Sequence, residues 1–211
     1  MEDKPKTEIL EFNVNWNSIK RACLRTIGKE GGEGEPPEAW KKKLLICRHS
    51  PIRKGWITWK WSEIPFFAMG HIVRHNVGCT PWVQTSRADR TGVERSQRSQ
   101  TDPVSMEMDA NIESLINIAG RRLCMCADTV TREFVEDLRE QIEKYDDTIA
   151  WAMVPQCVRA GGCCEPFSQC KHYENFAKSL TKEEQMDLVT RLDKYNEYRE
   201  KILSLTKKKQ A

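Results

Sequence analysis

Three tryptophans fall within six residues of the run KGWITWKWSEI, Lys54 to Ile64. Its alternation has period two and its residues are mostly β-branched or aromatic, the pattern of a strand. One face then carries Ile57, Trp59 and Trp61, the other Trp56, Thr58 and Lys60. So much indole on one face has to be covered, and the strand belongs in a sheet with a layer against it. Two uses of the tryptophans stay open: packing across strands or against a second copy of the chain, and stacking on a nucleotide base.

The neighbouring segments supply the rest of a sheet-and-helix fold. TEILEFNVNW alternates and reads as a second strand, and NSIKRACLRTIG follows with helical spacing and a terminal Gly28. KEGGEGEPPE is too rich in Gly and Pro for either regular form, and AWKKKLLICRHS resumes a helix ending near Cys47. PFFAMGHIVRH reads as a helix that delivers its end into GHIVRHNVGCTPWVQTSRADR, Gly70 to Arg90. VERSQRSQTDPVSM reads as irregular, whereas DANIESLINIAGRRLC and TVTREFVEDLREQIEKY are amphipathic helices, the second capped by Thr129. A T-x-x-E capping box, Thr181 to Glu184, opens a charged terminal helix, and the TKKKQA tail is expected to be solvated or to pack on another copy. The expected fold class is α+β, an antiparallel sheet packed with helices.

At 211 residues the chain is long enough for one well-buried domain and short for two. Lys and Arg number 34 against 31 Asp and Glu, a net +3, too balanced for a nucleic-acid-binding arm. The N-terminal MEDKPKTEIL has no apolar core before a cleavage site, and no run approaches ~18 apolar residues. The expectation is a cytoplasmic protein with neither nucleic acid nor membrane as partner. Nine cysteines, an odd number, point to reduced thiols and away from a complete disulfide framework. Four of them, Cys157, Cys163, Cys164 and Cys170, follow a C-x5-C-C-x5-C pattern around Gly161 and Gly162. That is not the paired C-x2-C of a zinc knuckle, so reduced structural thiols are expected ahead of zinc, with a disulfide as the third alternative.

On DANIESLINIAGRRLC, at about 100° per residue, Ile112, Leu115, Ile116, Ala119 and Leu123 fall within an arc of roughly 100°. Asn111, Ser114, Asn117, Arg121 and Arg122 crowd the other side. The first face is core. The second is either a solvated surface or a row of amides and guanidiniums suited to a heterocycle edge and a phosphate. Gly70 to Arg90 adds two histidines, three arginines and Cys79 around Pro81 and Trp82. His71 and His75 are either satisfied helix-end histidines or site residues, and Cys79 is either a packing thiol or a nucleophile.

NIESLINIAGRRLCMCADTVTREF resembles the helix pair of the flavin-dependent thymidylate synthases (the ThyX family), N-x-R-S-L-x-N-F-x-x-x-R-x-C-x-x-A-Q-x-E-x-R. Asn111, Ser114, Leu115, Asn117, Arg122, Cys124, Ala127 and Arg132 match it without a gap. CRHSPIRKGWITWKWSEI is similar to the family's G-H-x-S strand region at His49 and Ser50. VRHNVGCTPWVQTSRADR resembles its R-H-R-x-x-S-x-N-E-x-S-x-R signature at Arg74, His75 and Ser86, with Arg87 or Arg90. VPQCVRAGGCCEPFSQC is similar to cysteine-containing ends of some members. The chain also departs from the pattern: Asn76 replaces the signature's second arginine, the N-E pair is absent, Ser86 lies two residues late, and Glu113 takes the place of a flavin-holding arginine.

The resemblance implies a homotetramer that binds FAD across subunit boundaries, reduces it with NADPH and methylates the uracil carbon of dUMP from methylenetetrahydrofolate, without an enzymic cysteine nucleophile. It implies a catalytic domain over residues 1–175, with a Cys-rich end at 157–170, and a charged helix over 176–211. Carried over residue by residue, Ser50, Arg74, His75, Asn76, Asn111 and Asn117 line the flavin. Arg122 addresses the pyrimidine carbonyls and stabilises the anion developing on the ring, and His71 approaches the nucleotide as a second catalytic residue. Ser86, Arg87 and Arg90 hold its phosphate, Arg95 or Arg98 reaches it across an interface, and His49 sits near the folate. The altered loop leaves two alternatives to thymidylate synthesis. One is a flavin-dependent pyrimidine nucleotide hydroxymethylase or related modifier; the other is a noncatalytic nucleotide-binding protein on the same fold.

Overall fold

The computed structural model describes residues 5–210, without the side chains of residues 203–210. In chain order the first half runs β1 (Lys6–Asn13), α1 (Trp16–Thr26), α2 (Glu38–Cys47), β2 (Trp56–Pro65), α3 (Phe66–Ile72), β3 (Cys79–Val83), α4 (Ala88–Thr91) and β4 (Pro103–Asn111). The second half is helical: α5 (Ile112–Arg122), α6 (Thr129–Glu143), α7 (Asp147–Ala152), α8 (Gln156–Ala160), α9 (His172–Ala177), α10 (Lys182–Met186) and α11 (Leu188–Gln210). The strands form one sheet in the order β1-β2-β4-β3, every pair antiparallel. The architecture is therefore α+β, a four-stranded antiparallel sheet packed with helices.

The tryptophan strand lies inside the sheet, with Trp59 paired to Ile9 of β1 on one side and Met108 of β4 on the other. Its alternation is the predicted one: Ile57, Trp59 and Trp61 are wholly buried, beside Val104, Met106, Met108 and Ala110 of β4. Trp61 meets Phe134 of α6 edge-on at 5.8 Å and Trp59 at 5.6 Å, and its Nε1 donates to Thr7 Oγ1 at 2.7 Å. Packing is thus the use made of Trp59 and Trp61, each such side chain contributing about 1.5–3 kcal/mol through burial. The opposite face is polar and partly open. Asp109 there accepts from Thr58 Oγ1 at 2.7 Å and from Trp82 Nε1 at 3.1 Å, and Trp56 and Trp82 keep 39% and 60% of their surface exposed.

Several boundaries differ from the sequence expectations, each for a local reason. β4 takes Pro103–Met106, which read as irregular, and Asp109–Asn111, which read as helix, because the apolar face of β2 recruits Val104, Met106, Met108 and Ala110 as a partner row. β3 was not foreseen; its Pro81 is tolerated because β3 is an edge strand. Asp128, not Thr129, caps α6, its Oδ1 accepting from Thr131 N at 2.9 Å. The Thr181 to Glu184 capping box forms but opens only the short α10, and the chain leaves the helix at Asp187 before α11 begins. α11 then adds Leu192 and Tyr195 to the core, and its Arg191 Nε donates to Val158 O of α8 at 2.7 Å. The side chains of the TKKKQA tail lie outside those described. No described helix is long and apolar enough to cross a membrane.

Candidate functional site

The turn after α3 is pinned onto the start of α5. Asn111 N donates to Gly78 O at 3.0 Å, and Ser114 Oγ donates to Val77 O at 2.6 Å. Gly78 holds φ +70°, and a Cβ there would overlap Asn111 Nδ2 and Ser114 Oγ, so only glycine lets the turn sit this close. Cys79, buried, turns its thiol to His75 O at 2.9 Å, the packing role, and burial pushes that thiol up from its ordinary pKa. These anchors fix the intervening residues Arg74, His75 and Asn76 over one side of α5.

Arg122, the last residue of α5, reaches the same turn. Its Nε donates to His75 Nε2 at 3.1 Å and its Nη2 to His71 O at 2.6 Å. His75 therefore presents a lone pair at Nε2 and is neutral; burial, then the charges of Arg122 and Arg121, hold its pKa down to about 4. Arg122 is itself lowered, by burial first and then by Arg74 and Arg121. None of these three arginines forms an ion pair among the described residues. They line, with His75, Gly120 and Gln156, a cavity of about 430 Å³. A smaller hollow of about 180 Å³ adjoins it across Arg74 and His75, walled by Asn76, Val77, Cys79, Ser114 and Asn117. The three guanidiniums outnumber the one carboxylate that lines the cavity, Glu165, and beside a neutral imidazole they suit an anionic ligand with carbonyl acceptors.

The structure brings Arg74, His75, Asn76, Asn117 and Arg122 together at these two hollows. It places others differently. Asn111 is buried and serves as the N-cap of α5, its Oδ1 accepting from Ser114 N at 3.0 Å, so its carbonyl oxygen already has a structural partner. His71 turns its ring to α6, where Nδ1 meets Thr131 Oγ1 at 2.9 Å, and reaches Arg122 only through its backbone carbonyl. His49 and Ser50 are exposed at the start of a short 3-10 turn and line neither hollow. Ser86, Arg87, Arg90, Arg95 and Arg98 also line neither, because β3 carries the chain away from the turn by four strand steps, roughly 13 Å. There Arg87 grips Asp89 through two bonds at 2.9 Å.

Sequence reasoning put Arg121 on the polar face of α5 without giving it a role of its own, and it missed two further participants, Arg48 and Arg53. Arg121 neighbours Arg122 and shares its cavity. Arg48, at φ 51°, ends α2 and donates from Nη1 to Asn117 Oδ1 at 2.7 Å. Arg53 pairs with Glu113, so a guanidinium stands beside the position where the resemblance expected one. Of those two, only Arg53 was hinted at in the sequence, by an acid in an arginine's place. α5 is also wrapped more fully than a two-faced wheel suggests, since Ser114 and Ile118 are buried with its apolar row and leave Glu113, Asn117, Arg121 and Arg122 accessible.

No protein-family model matches the chain and no curated protein matches it. Solved structures do. Thymidylate synthase X (ThyX) from Helicobacter pylori, determined with FAD and dUMP, aligns at TM-score 0.55 and 12% identity over 69% of this chain and 99% of that one. The UMP/dUMP methylase PolB from Streptomyces cacaoi, bound with 5-Br dUMP, aligns at 0.56 and 12% over 70% and 94%. The same enzyme with 5-Br UMP aligns at 0.54 and 11% over 70% and 92%. At these identities the likeness is one of fold.

Proposed function

We propose that the chain is a flavin-dependent enzyme that modifies the uracil ring of a pyrimidine nucleoside monophosphate. Within that class the reading is thymidylate synthesis, dUMP to dTMP, with methylenetetrahydrofolate as carbon donor and NADPH as reductant. One observation carries it. On a fold shared with enzymes solved with FAD, dUMP and uracil nucleotides, Arg122 and a neutral His75 stand together at the edge of a cationic cavity. The fit to a flavin dinucleotide rests on the donor set: guanidiniums without an ion pair at Arg74 and Arg121 for phosphate or ring carbonyls, and the Asn76 and Asn117 amides around the smaller hollow. A bound flavin would supply the hydride and electron chemistry.

The chain's own residues bind and polarise. Arg122 is held by His75 and the His71 carbonyl, so its orientation is set before a ligand arrives. A fixed guanidinium at the uracil carbonyls stabilises negative charge as it builds on the ring more than it stabilises the resting pyrimidine. His75, neutral, orients Arg122 and adds no competing positive charge. Asn117, its Oδ1 occupied by Arg48, offers its amide N–H groups to an acceptor. Ser86, Arg87, Arg90 and Arg95 or Arg98 then hold a nucleotide phosphate in a neighbouring copy of a homotetramer, since they leave their own chain's cavity. The PolB likeness favours one further reading, UMP as well as dUMP as substrate.

Purified protein is expected to show oxidised-flavin absorption and to convert dUMP, methylenetetrahydrofolate and NADPH to dTMP by mass spectrometry, with UMP run in parallel. Arg122→Ala should lower kcat by about 10²–10³, with flavin content and melting temperature kept. A colourless protein that binds dUMP without turnover would replace this reading with the noncatalytic one, and a hydroxymethyl product with the hydroxymethylase.

A further inference from the structure

The cavity at Arg122 has a second wall that the proposed chemistry does not use. Six of the nine cysteines line it. Cys124 and Cys126 follow α5, Cys157 lies on α8, and Cys163, Cys164 and Cys170 lie on the segment joining α8 to α9. Three separate parts of the chain thus deliver thiols to one place. Cys157 has Cys124, Cys163 and Cys170 around it, and Cys126 Sγ donates to Ser168 O at 3.2 Å.

The segment Cys163–Cys170 has little else to hold it. Among the described residues its backbone N–H groups make no hydrogen bond to backbone, and that of Phe167 goes to Glu165 Oε1, two residues away. The Phe167 ring is 95% exposed, so no apolar anchor replaces the missing ladder. Ordering each residue of such a stretch costs about 1–2 kcal/mol, and a covalent or coordinate tie is the device that offsets it in loop-rich segments. Arg74, Arg121 and Arg122 border the same thiols.

We propose that Cys124, Cys157, Cys163 and Cys170 form a tetrathiolate zinc site that fastens the Cys163–Cys170 segment against the end of α5 and so builds the second wall of the Arg122 cavity. Spacing alone ranked zinc behind structural thiols because C-x5-C-C-x5-C is not a paired C-x2-C; the fold adds Cys124 from outside that run. On binding, four S–H bonds give way to four S–Zn bonds and the protons leave to solvent. No three of these groups among the described residues stand at the separations one ion needs, so binding draws the segment inward. Gly161, at φ +76°, ends α8, and Gly162 N donates to Cys157 O at 3.0 Å just before that segment begins. Cys126 and Cys164 stay outside the ligand set, their thiols turned to the carbonyls of Ser168 and Gly162 at 3.2 and 3.6 Å.

The test is independent of the flavin chemistry. Untagged protein purified in reductant without chelator is expected to carry about one zinc per chain by elemental analysis. Cys163→Ser and Cys170→Ser should each lose at least nine-tenths of it, while Cys47→Ser, at an exposed thiol outside the cavity, keeps it. Should the serine variants misfold, chelator-stripped wild type serves instead: zinc uptake should release about four protons per ion, and cadmium should give a thiolate charge-transfer band. Metal-free wild type that takes up no zinc overturns the proposal, as do a Cys126–Cys170 disulfide in its place, iron with acid-labile sulfide, or full zinc retention in both serine variants.

Discussion

A histidine that accepts from a guanidinium cannot carry a proton on that nitrogen, and this makes His75 a sensitive residue. Its folded pKa lies near 4 against an ordinary 6.5, with burial the larger cause and Arg122 and Arg121 the next. The folded state then binds fewer protons than the unfolded one between those values. The sign follows: the contribution is whole above pH 6.5 and is lost as pH falls through about 4. His75 is half-buried, so solvent screening trims its size. His75→Asn keeps a polar side chain without the titration. The urea midpoint of the wild type is expected to fall further than that of the variant between pH 6.5 and 4, and parallel profiles would show that His75 does not set the acid limit.

Among elements, the α3-to-β3 turn matters most to the site, and two glycines separate its demands. Gly78 and Gly92 both hold φ +70°, but a Cβ at Gly92 meets nothing within 4 Å whereas one at Gly78 collides with Asn111 and Ser114. Gly92→Ala should therefore cost only the left-handed strain, about 1–2 kcal/mol. Gly78→Ala adds a steric term, has to lift the turn off α5, and is expected to cost about 3 kcal/mol or more and to weaken nucleotide binding. Thermal melts and dUMP titrations of the two variants check the contrast; equal losses would mean the turn is free to shift. The same turn shows what was legible in the sequence. The period-two run of β2 declared its buried face because tertiary packing reinforced the local pattern. Asn111 read as one more amide on a helical face, yet it stands one residue before α5 and caps it, a distinction set by where β4 ends. β3 was hidden because a five-residue edge strand containing Pro81 carries no periodic signal of its own.

At the scale of the whole molecule, the arrangement of arginines argues for a site completed between copies. Periodicity and motif order located Arg74, His75 and Arg122 in one place, because the turn and α5 are joined by contacts within the chain. They could not locate Arg87, since a strand of one chain says nothing about which cavity lies beyond its far end. Arg122 borders a cavity that no residue of the Ser86–Arg98 stretch reaches, while that stretch presents Arg87, Arg90 and Arg95 at an exposed edge. If both sets serve one nucleotide, they come from different protomers, and the proposed homotetramer, four times the 24.5 kDa chain, is a requirement of activity. Complementation tests this directly. Arg122→Ala and Arg87→Ala proteins are each expected to be nearly inactive alone. Unfolded together and refolded at equal amounts, they should recover activity, because random pairing gives about a quarter of the sites both native arginines. Light scattering on the same samples gives the assembly size. A refolded mixture no more active than the two variants apart, at unchanged assembly, would mean that Arg122 and Arg87 do not meet at one nucleotide across a subunit boundary.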